Sequence, residues 1–147
     1  MNLIQRCLLV VFLSSSACAQ NFTVKMLNSH DGKIMVFEPP VLKIQKGDTV
    51  LFESVDAGHN SQSHSLPAGA KPWKSDISKD YNVKFDQPGT YVYICEPHIV
   101  MGMIGIIQVG DTKDVARVNQ SLKELGPNVL MNKERLNEYP ETLEQLK

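Results

Sequence analysis

Residues 81–109 read YNVKFDQPGTYVYICEPHIVMGMIGIIQV. Tyr81, Val83 and Phe85 alternate with polar residues, Gln87-Pro88-Gly89 turns the chain, and TYVYIC follows; after a short insert, Met103 to Val109 runs apolar again. Period-two alternation, β-branched and aromatic enrichment and a Pro-Gly turn read as strands. The upstream sequence has the same grain. FTVKML alternates Phe22, Val24 and Met26 until Asn28-Ser29-His30-Asp31-Gly32 breaks it, and Met35-Val36-Phe37 stops at Pro39-Pro40. VLKIQ points Val41 and Ile44 inward, Lys46-Gly47-Asp48 turns, and TVLFESV follows. From Asp56 to Asp80 the chain is polar and is expected to be loop. Seven or eight strands at intervals of roughly ten residues predict an all-β two-sheet sandwich or barrel, not a βαβ fold.

Beyond Gly110 the period changes. Val115, Val118, Leu122 and Leu125 share one helical face, with Asp111 or Thr112 as the expected cap and Gly126-Pro127 as the stop. A second helix is expected from about Asn132, interrupted by Pro140 or opened anew there. This tail, residues 111–147, has a narrow apolar stripe and is expected to pack on the sandwich, residues 20–110, and not to fold as a separate domain.

At the other end, MNLIQRCLLVVFLSSSACAQ has a positive charge at Arg6, a short apolar run and small residues before a cut after Ala19, the pattern of a secretory leader over residues 1–19. The apolar run is far short of the roughly twenty residues that span a bilayer. Lipidation at Cys18 is the rival, disfavoured because Ser15, Ser16 and Ala17 precede it instead of a large aliphatic residue. With 42% hydrophobic and 21% charged residues in a chain of 147, there is material for one core. Loss of Arg6 leaves fourteen basic against sixteen acidic residues and no dense basic run, which argues against nucleic acid as partner.

Cleavage also removes Cys7 and Cys18, leaving Cys95 alone in an oxidising compartment where thiols are ordinarily paired. Its surroundings, CEPHIVMGM, put a thiol, the imidazole of His98 and the thioethers of Met101 and Met103 in one turn between two strands, and His59 follows another strand. Taken singly these residues have plainer readings: a buried inert thiol, a surface histidine, core methionines, or half of a zinc site. Glu96 is expected to point away from Cys95. Two imidazoles, one thiolate and a distant thioether are, taken together, the donor set of a blue copper site.

With these motifs the sequence resembles the small type 1 copper proteins, the cupredoxins, and within them the pseudoazurin family. The resemblance runs through FTVKMLN, MVFEPP, KGDTV, GHN, PAGA, QPGTY and CEPHIVMGMIG to the helical tail. It implies a Greek-key two-sheet sandwich of seven to eight strands with C-terminal helices. It implies one copper ion, cycling between Cu(I) and Cu(II), held by His59, Cys95, His98 and Met103, with Met101 nearby but not a ligand. Asn60 resembles the residue whose backbone N–H bonds the ligand sulfur, and Met35 one close to the exposed imidazole.

The implied role is that of a periplasmic electron carrier and not an enzyme, acting as a monomer with no membrane span. Electrons pass through His98 within an apolar rim of Pro40, Pro97, Ile99 and Met101. The partners implied are periplasmic redox proteins: copper nitrite reductase, another copper reductase or a c-type cytochrome. The chain departs from the family at the docking face. Asp56-Ala57-Gly58 and Asp76 stand where lysines are common, and Ser63 and His64 occupy a shortened loop, leaving Lys71, Lys74 and Lys79 as either a small basic face or an ordinary solvated surface. Two other classes are weighed: a periplasmic copper carrier, which needs exchangeable exposed ligands, and a metal-free immunoglobulin-like binding module. His30 and His64 receive no role.

Overall fold

A computed structural model describes residues 18–147; the expected leader lies almost wholly outside the described residues. The described residues form eight strands: β1 (Asn21–His30), β2 (Lys33–Glu38), β3 (Val41–Ile44), β4 (Thr49–Glu53), β5 (Gln62–Ser65), β6 (Tyr81–Lys84), β7 (Gly89–Ile94) and β8 (Ile104–Val109). They form two sheets, ordered β2-β1-β4-β6 and β3-β8-β7-β5. The β1–β4 and β3–β8 pairings are parallel and the others antiparallel, so each sheet is mixed. Two helices follow, α1 (Val115–Leu125) and α2 (Arg135–Gln145).

β7 and β8 are buried at every position because both faces of their sheet are covered, which explains why they read as nearly continuous apolar runs. The alternation still sorts their side chains. Tyr91, Tyr93, Cys95, Met103, Ile107 and Val109 face the other sheet, together with Val24, Met26, Phe37, Phe52, Trp73 and Phe85. Val92, Ile94, Ile104 and Ile106 face the opposite way and meet Val118, Leu122, Leu125, Tyr139 and Leu143 of the helices. Each such large side chain contributes about 1.5–3 kcal/mol on burial. The tail therefore closes a second core on the back of one sheet. Gly105 lies opposite Tyr93 in the β7–β8 register, and its missing side chain leaves room for the tyrosine ring.

The structure departs from the sequence reading at four places. β1 runs through Asn28 to His30, because Ser29 and His30 pair with Ile34 and Lys33 across a tight turn. The polar stretch 56–80 contains β5, an edge strand on β7 whose residues QSHS carry no apolar signal. Serine hydroxyls stitch it in place. Ser61 Oγ accepts from Trp73 Nε1 at 3.0 Å, Ser63 Oγ from Trp73 N at 3.0 Å and Ser75 Oγ from Ser61 N at 2.9 Å.

The cap of α1 is Asp114, whose carboxylate accepts from Arg117 N at 3.0 Å, and not Asp111 or Thr112. Asp111 instead pairs with Lys43 at 2.9 Å, a contact that holds its carboxyl below the usual range. Finally, α2 continues through Pro140. Burial of Tyr139, Pro140 and Leu143 offsets the hydrogen bond that the proline cannot make.

Candidate metal centre

Two loops at one end of the sandwich bring the candidate donors together. The loop after β4 carries His59, and the turn between β7 and β8 carries Cys95, His98 and Met103. Gly58, at φ 93°, passes over the His98 ring, where a Cβ would lie 3.9 Å from Cε1. Its N–H donates to Ser78 Oγ at 2.8 Å while Ser78 N donates to His59 O at 2.8 Å, so the loop is pinned on both sides of the histidine.

The Cys95 turn is a closed backbone circuit. His98 N donates to Cys95 O at 3.1 Å, Met103 N to His98 O at 3.2 Å and Cys95 N to Met103 O at 3.0 Å. A short 3-10 segment, Glu96–Met101, spans it, ending at Gly102 in the left-handed region at φ 70°.

Within this frame His59 Nδ1 and His98 Nδ1 stand 3.0 Å apart, and Cys95 Sγ lies 3.4 Å from His98 Nδ1 and 3.8 Å from His59 Nδ1. All three donor atoms fall within 4.8 Å of one another. His59, Cys95 and Met103 are fully buried, whereas His98 is half-buried. Asn60 joins the two loops: its N–H points at Cys95 Sγ at 3.5 Å and its Oδ1 accepts from Glu96 N at 2.8 Å. The Glu96 carboxylate turns away to Lys74, 2.6 Å distant.

Burial acts on the two buried donors in opposite senses for metal binding: it favours the neutral imidazole of His59 and disfavours the thiolate of Cys95. Burial lowers the pKa of His59, the neighbouring His98 lowers it further, and Asp56 opposes both. Burial raises that of the Cys95 thiol, against the hydrogen bonds from the backbone at Asn60 and His98. Both shifts favour neutral groups, and a neutral imidazole is the form that binds metal. A cation held by Cys95 would reverse the thiol's balance by stabilising the thiolate directly.

Residues 24–110 match the family of copper binding proteins described as plastocyanin/azurin. The chain belongs to that family. Among individual relatives it is 46% identical over 100 residues to a putative pseudoazurin of Rhizobium leguminosarum bv. viciae, covering 67% of this chain and 66% of the relative. It is 38% identical over 109 residues to the pseudoazurin of Methylorubrum extorquens, covering 73% and 74%. The crystal structure of native pseudoazurin from Hyphomicrobium denitrificans superposes with a TM-score of 0.71 at 34% identity, covering 83% of this chain and 97% of that one.

Copper is the cofactor of this family, and the donor set here fits it. A thiol and two imidazole nitrogens converge in a buried, water-poor site with an N–H already aimed at the sulfur. A metal-free binding module is incompatible with that membership.

Several contributors to the site carry no sequence signal of their own. Asn28 Oδ1 accepts from His59 Nε2 at 3.1 Å, which fixes the ring tautomer and leaves the Nδ1 lone pair facing Cys95. Its place in an apparent turn disguised it. Leu130 and Met131, both exposed, donate their N–H groups to Val100 O and so add apolar surface beside the Cys95–Met103 turn. His64 is exposed, and His30 lies near Asp31 and Glu38, away from the donor cluster. Of the three candidate lysines, Lys74 is engaged by Glu96.

Proposed function

We propose that this chain is a periplasmic one-electron shuttle with a type 1 copper site, in which His59 Nδ1, His98 Nδ1, the Cys95 thiolate and the Met103 thioether are the ligands. The observation that carries the reading is the convergence of the three strong donors within 4.8 Å, with Met103 buried at the end of the same turn. Copper bound there supplies a Cu(I)/Cu(II) couple, which changes by a single electron with no substrate bonded.

The chain's residues do the rest. Asn28 holds the His59 ring, Asn60 draws charge from the sulfur through its N–H and ties the two loops, and the closed backbone circuit keeps Cys95, His98 and Met103 in fixed relation. Burial of His59, Cys95 and Met103 excludes water, so little solvent need reorganise when the charge changes. His98 is the one donor of the cluster that is not fully buried, and it is the electron port. Of the expected rim, Pro97 is exposed and Pro40, Ile99 and Met101 are partly so, and the exposed Leu130 and Met131 of the tail bond to Val100 O on the same turn.

The periplasmic location rests on the leader-like residues 1–19 and on the pseudoazurin relatives; no helix among the described residues is long and apolar enough to cross a membrane. The chain acts as a monomer on periplasmic redox partners, copper nitrite reductase, another copper reductase or a c-type cytochrome. Lys74 pairs with Glu96, whereas Lys71 and Lys79 carry no ion pair among the described residues, so charge steering of a partner rests on those two and apolar contact supplies the rest.

The test is the visible and EPR spectrum of the protein lacking residues 1–19 with one equivalent of Cu(II), beside Cys95→Ser. An intense thiolate-to-copper band with narrow hyperfine splitting, absent in the variant, is expected. A pale spectrum with wide splitting refutes the assignment and favours a copper carrier with exchangeable ligands.

A further inference from the structure

We propose that Arg135, from helix α2, is a positioning residue for the copper site: its buried guanidinium anchors the Gly102–Met103 peptide and places a fixed positive charge one peptide unit from Met103. The proposal rests on the copper reading above.

Arg135 is only 2% exposed, yet no carboxylate pairs with it among the described residues. A guanidinium stays protonated in a protein, so a full charge is held in the interior by backbone carbonyls alone. Nη1 donates to Gly102 O at 2.9 Å and to Met35 O at 2.8 Å, and Nη2 donates to Ile34 O at 2.7 Å, while Nε has no partner. So costly an arrangement is poorly explained as a pin for a surface helix. An apolar residue would pack α2 without the desolvation cost.

What the carbonyls belong to gives it meaning. The Gly102 C=O is part of the peptide whose N–H is that of Met103, and that N–H donates to His98 O. A continuous path runs from the guanidinium through this peptide to the His98 carbonyl, and hydrogen bonds in such a chain polarise one another. Met103 O in turn accepts from Cys95 N. One buried cation thus anchors the circuit that carries three of the four proposed ligands.

The other carbonyls lie in β2, around Met35, which sits in the left-handed region at φ 49° without being glycine. Strain of that kind persists only where neighbours over-determine it. The residues just before α2 reinforce the clasp. Asn132 Nδ2 donates to Met101 O at 2.7 Å, Leu130 N and Met131 N donate to Val100 O, and a Cβ on Gly102 would meet Met131 O at 2.9 Å. The tail closes on the ligand turn as well as on the sheet.

The charge has a direction of effect. It opposes the state in which the neighbouring site is more positive, so it favours the reduced form and raises the midpoint potential.

The test compares Arg135→Gln, Arg135→Lys and Leu143→Ala. Leu143 is fully buried in the helix-side core, so its truncation loosens α2 without touching any of these carbonyls. Two readouts are taken: the midpoint potential of the copper-loaded protein, and amide hydrogen exchange at Gly102 and Met103 with and without Cu(I).

Arg135→Gln should lower the potential and speed exchange at both amides by about tenfold or more, the scale set by losing hydrogen bonds to a charged group. Arg135→Lys keeps the charge but not the fork, so it should retain most of the potential while still speeding exchange. Leu143→Ala should lower the melting temperature and leave the potential unchanged. Native potential and native exchange in Arg135→Gln overturn the proposal, as does a potential shift in Leu143→Ala equal to that of Arg135→Gln. If Arg135→Gln does not fold, the exchange rates of Arg135→Lys decide it, native rates refuting it. Absence of the blue spectrum in the unmodified protein would instead sink the copper reading, and the exchange comparison would still stand.

Discussion

Gly105→Ala tests whether the hairpin that carries both candidate sulfur donors is packed as tightly as the geometry indicates. A Cβ built at Gly105 falls 2.1 Å from Tyr93 Cζ, 2.3 Å from its hydroxyl oxygen and 2.6 Å from Cε1, all far inside van der Waals contact. Relief requires the ring to move by about 1 Å or more, and dense interiors leave little free space for that. Tyr93 is fully buried, with its ring centroid 4.7 Å from that of Phe37 and 5.1 Å from that of Phe52.

Overpacking of well-filled cores costs about 1–3 kcal/mol, and a clash with ring atoms on this scale belongs at the upper end. A loss of ~3 kcal/mol corresponds to a fall in melting temperature of about 10 °C for a domain of this size. Thermal and urea unfolding of the single variants and the double variant with Tyr93→Leu form a cycle. The alanine should cost markedly less when the ring is gone, with a coupling of about 1–2 kcal/mol. Because Tyr93 and Gly105 lie two residues from Cys95 and Met103 on the same face, the copper-loaded variant should also show an altered thiolate band. A cost under about 0.5 kcal/mol, the level of an ordinary surface change, or equal costs in both backgrounds, would refute the reasoning.

Asn28→Ala removes the acceptor that orients His59, so Cu(II) affinity in chelator competition should fall by about ten- to a hundredfold, with little change in stability because Asn28 is exposed; affinity within twofold of the native protein would contradict it. Burial pushes Tyr91, Tyr93 and Tyr139 upward, Tyr93 strongly. A tyrosine is neutral when protonated, so these raised values stabilise the fold fully below about pH 10, the unfolded value, and that contribution is lost as pH rises through the folded values. Tyrosinate absorbance should therefore develop late, with the Tyr93 step coinciding with unfolding. An alkaline titration in which Tyr93→Phe removes an early step from a still-folded protein would show the ring to be accessible.

The strands that were legible in the sequence are those in which burial acts on side chains. Val24 and Met26 alternate because one face of β1 is dry, and β7 and β8 read as continuous because both of theirs are. The candidate donors were legible for another reason: a thiol, imidazoles and thioethers are uncommon, and Cys95, His98 and Met103 fall within nine residues. β5 was missed because Gln62 to Ser65 are held by backbone pairing to β7 and by serine hydroxyls around Trp73, which leave no period in hydrophobicity. Asn28 and Arg135 were missed because each acts on a partner far along the chain, 31 residues away for His59 and about 100 for Met35 and Ile34. A side chain that recognises a distant carbonyl or ring nitrogen imposes no local pattern.

That asymmetry bears on how such a site can vary. The donors are concentrated in one short turn and one loop, so a small stretch of chain carries the identity of the metal site. The geometry of that stretch is held from outside: by Asn28 in β1, by Ser78 in the loop before β6 and by Arg135 and Asn132 near α2. A chain with the same turn and different supports would keep its donor chemistry while the relation among its donors shifted. In this fold the helical tail is one of those supports. It covers the back of the sheet with Val118, Leu122 and Leu143, and its Arg135 reaches past that core to the peptide preceding Met103. Packing on the sheet and a contact to the ligand turn are thus joined in one element, so a helix that carries none of the candidate donors helps to hold the turn that carries three of them.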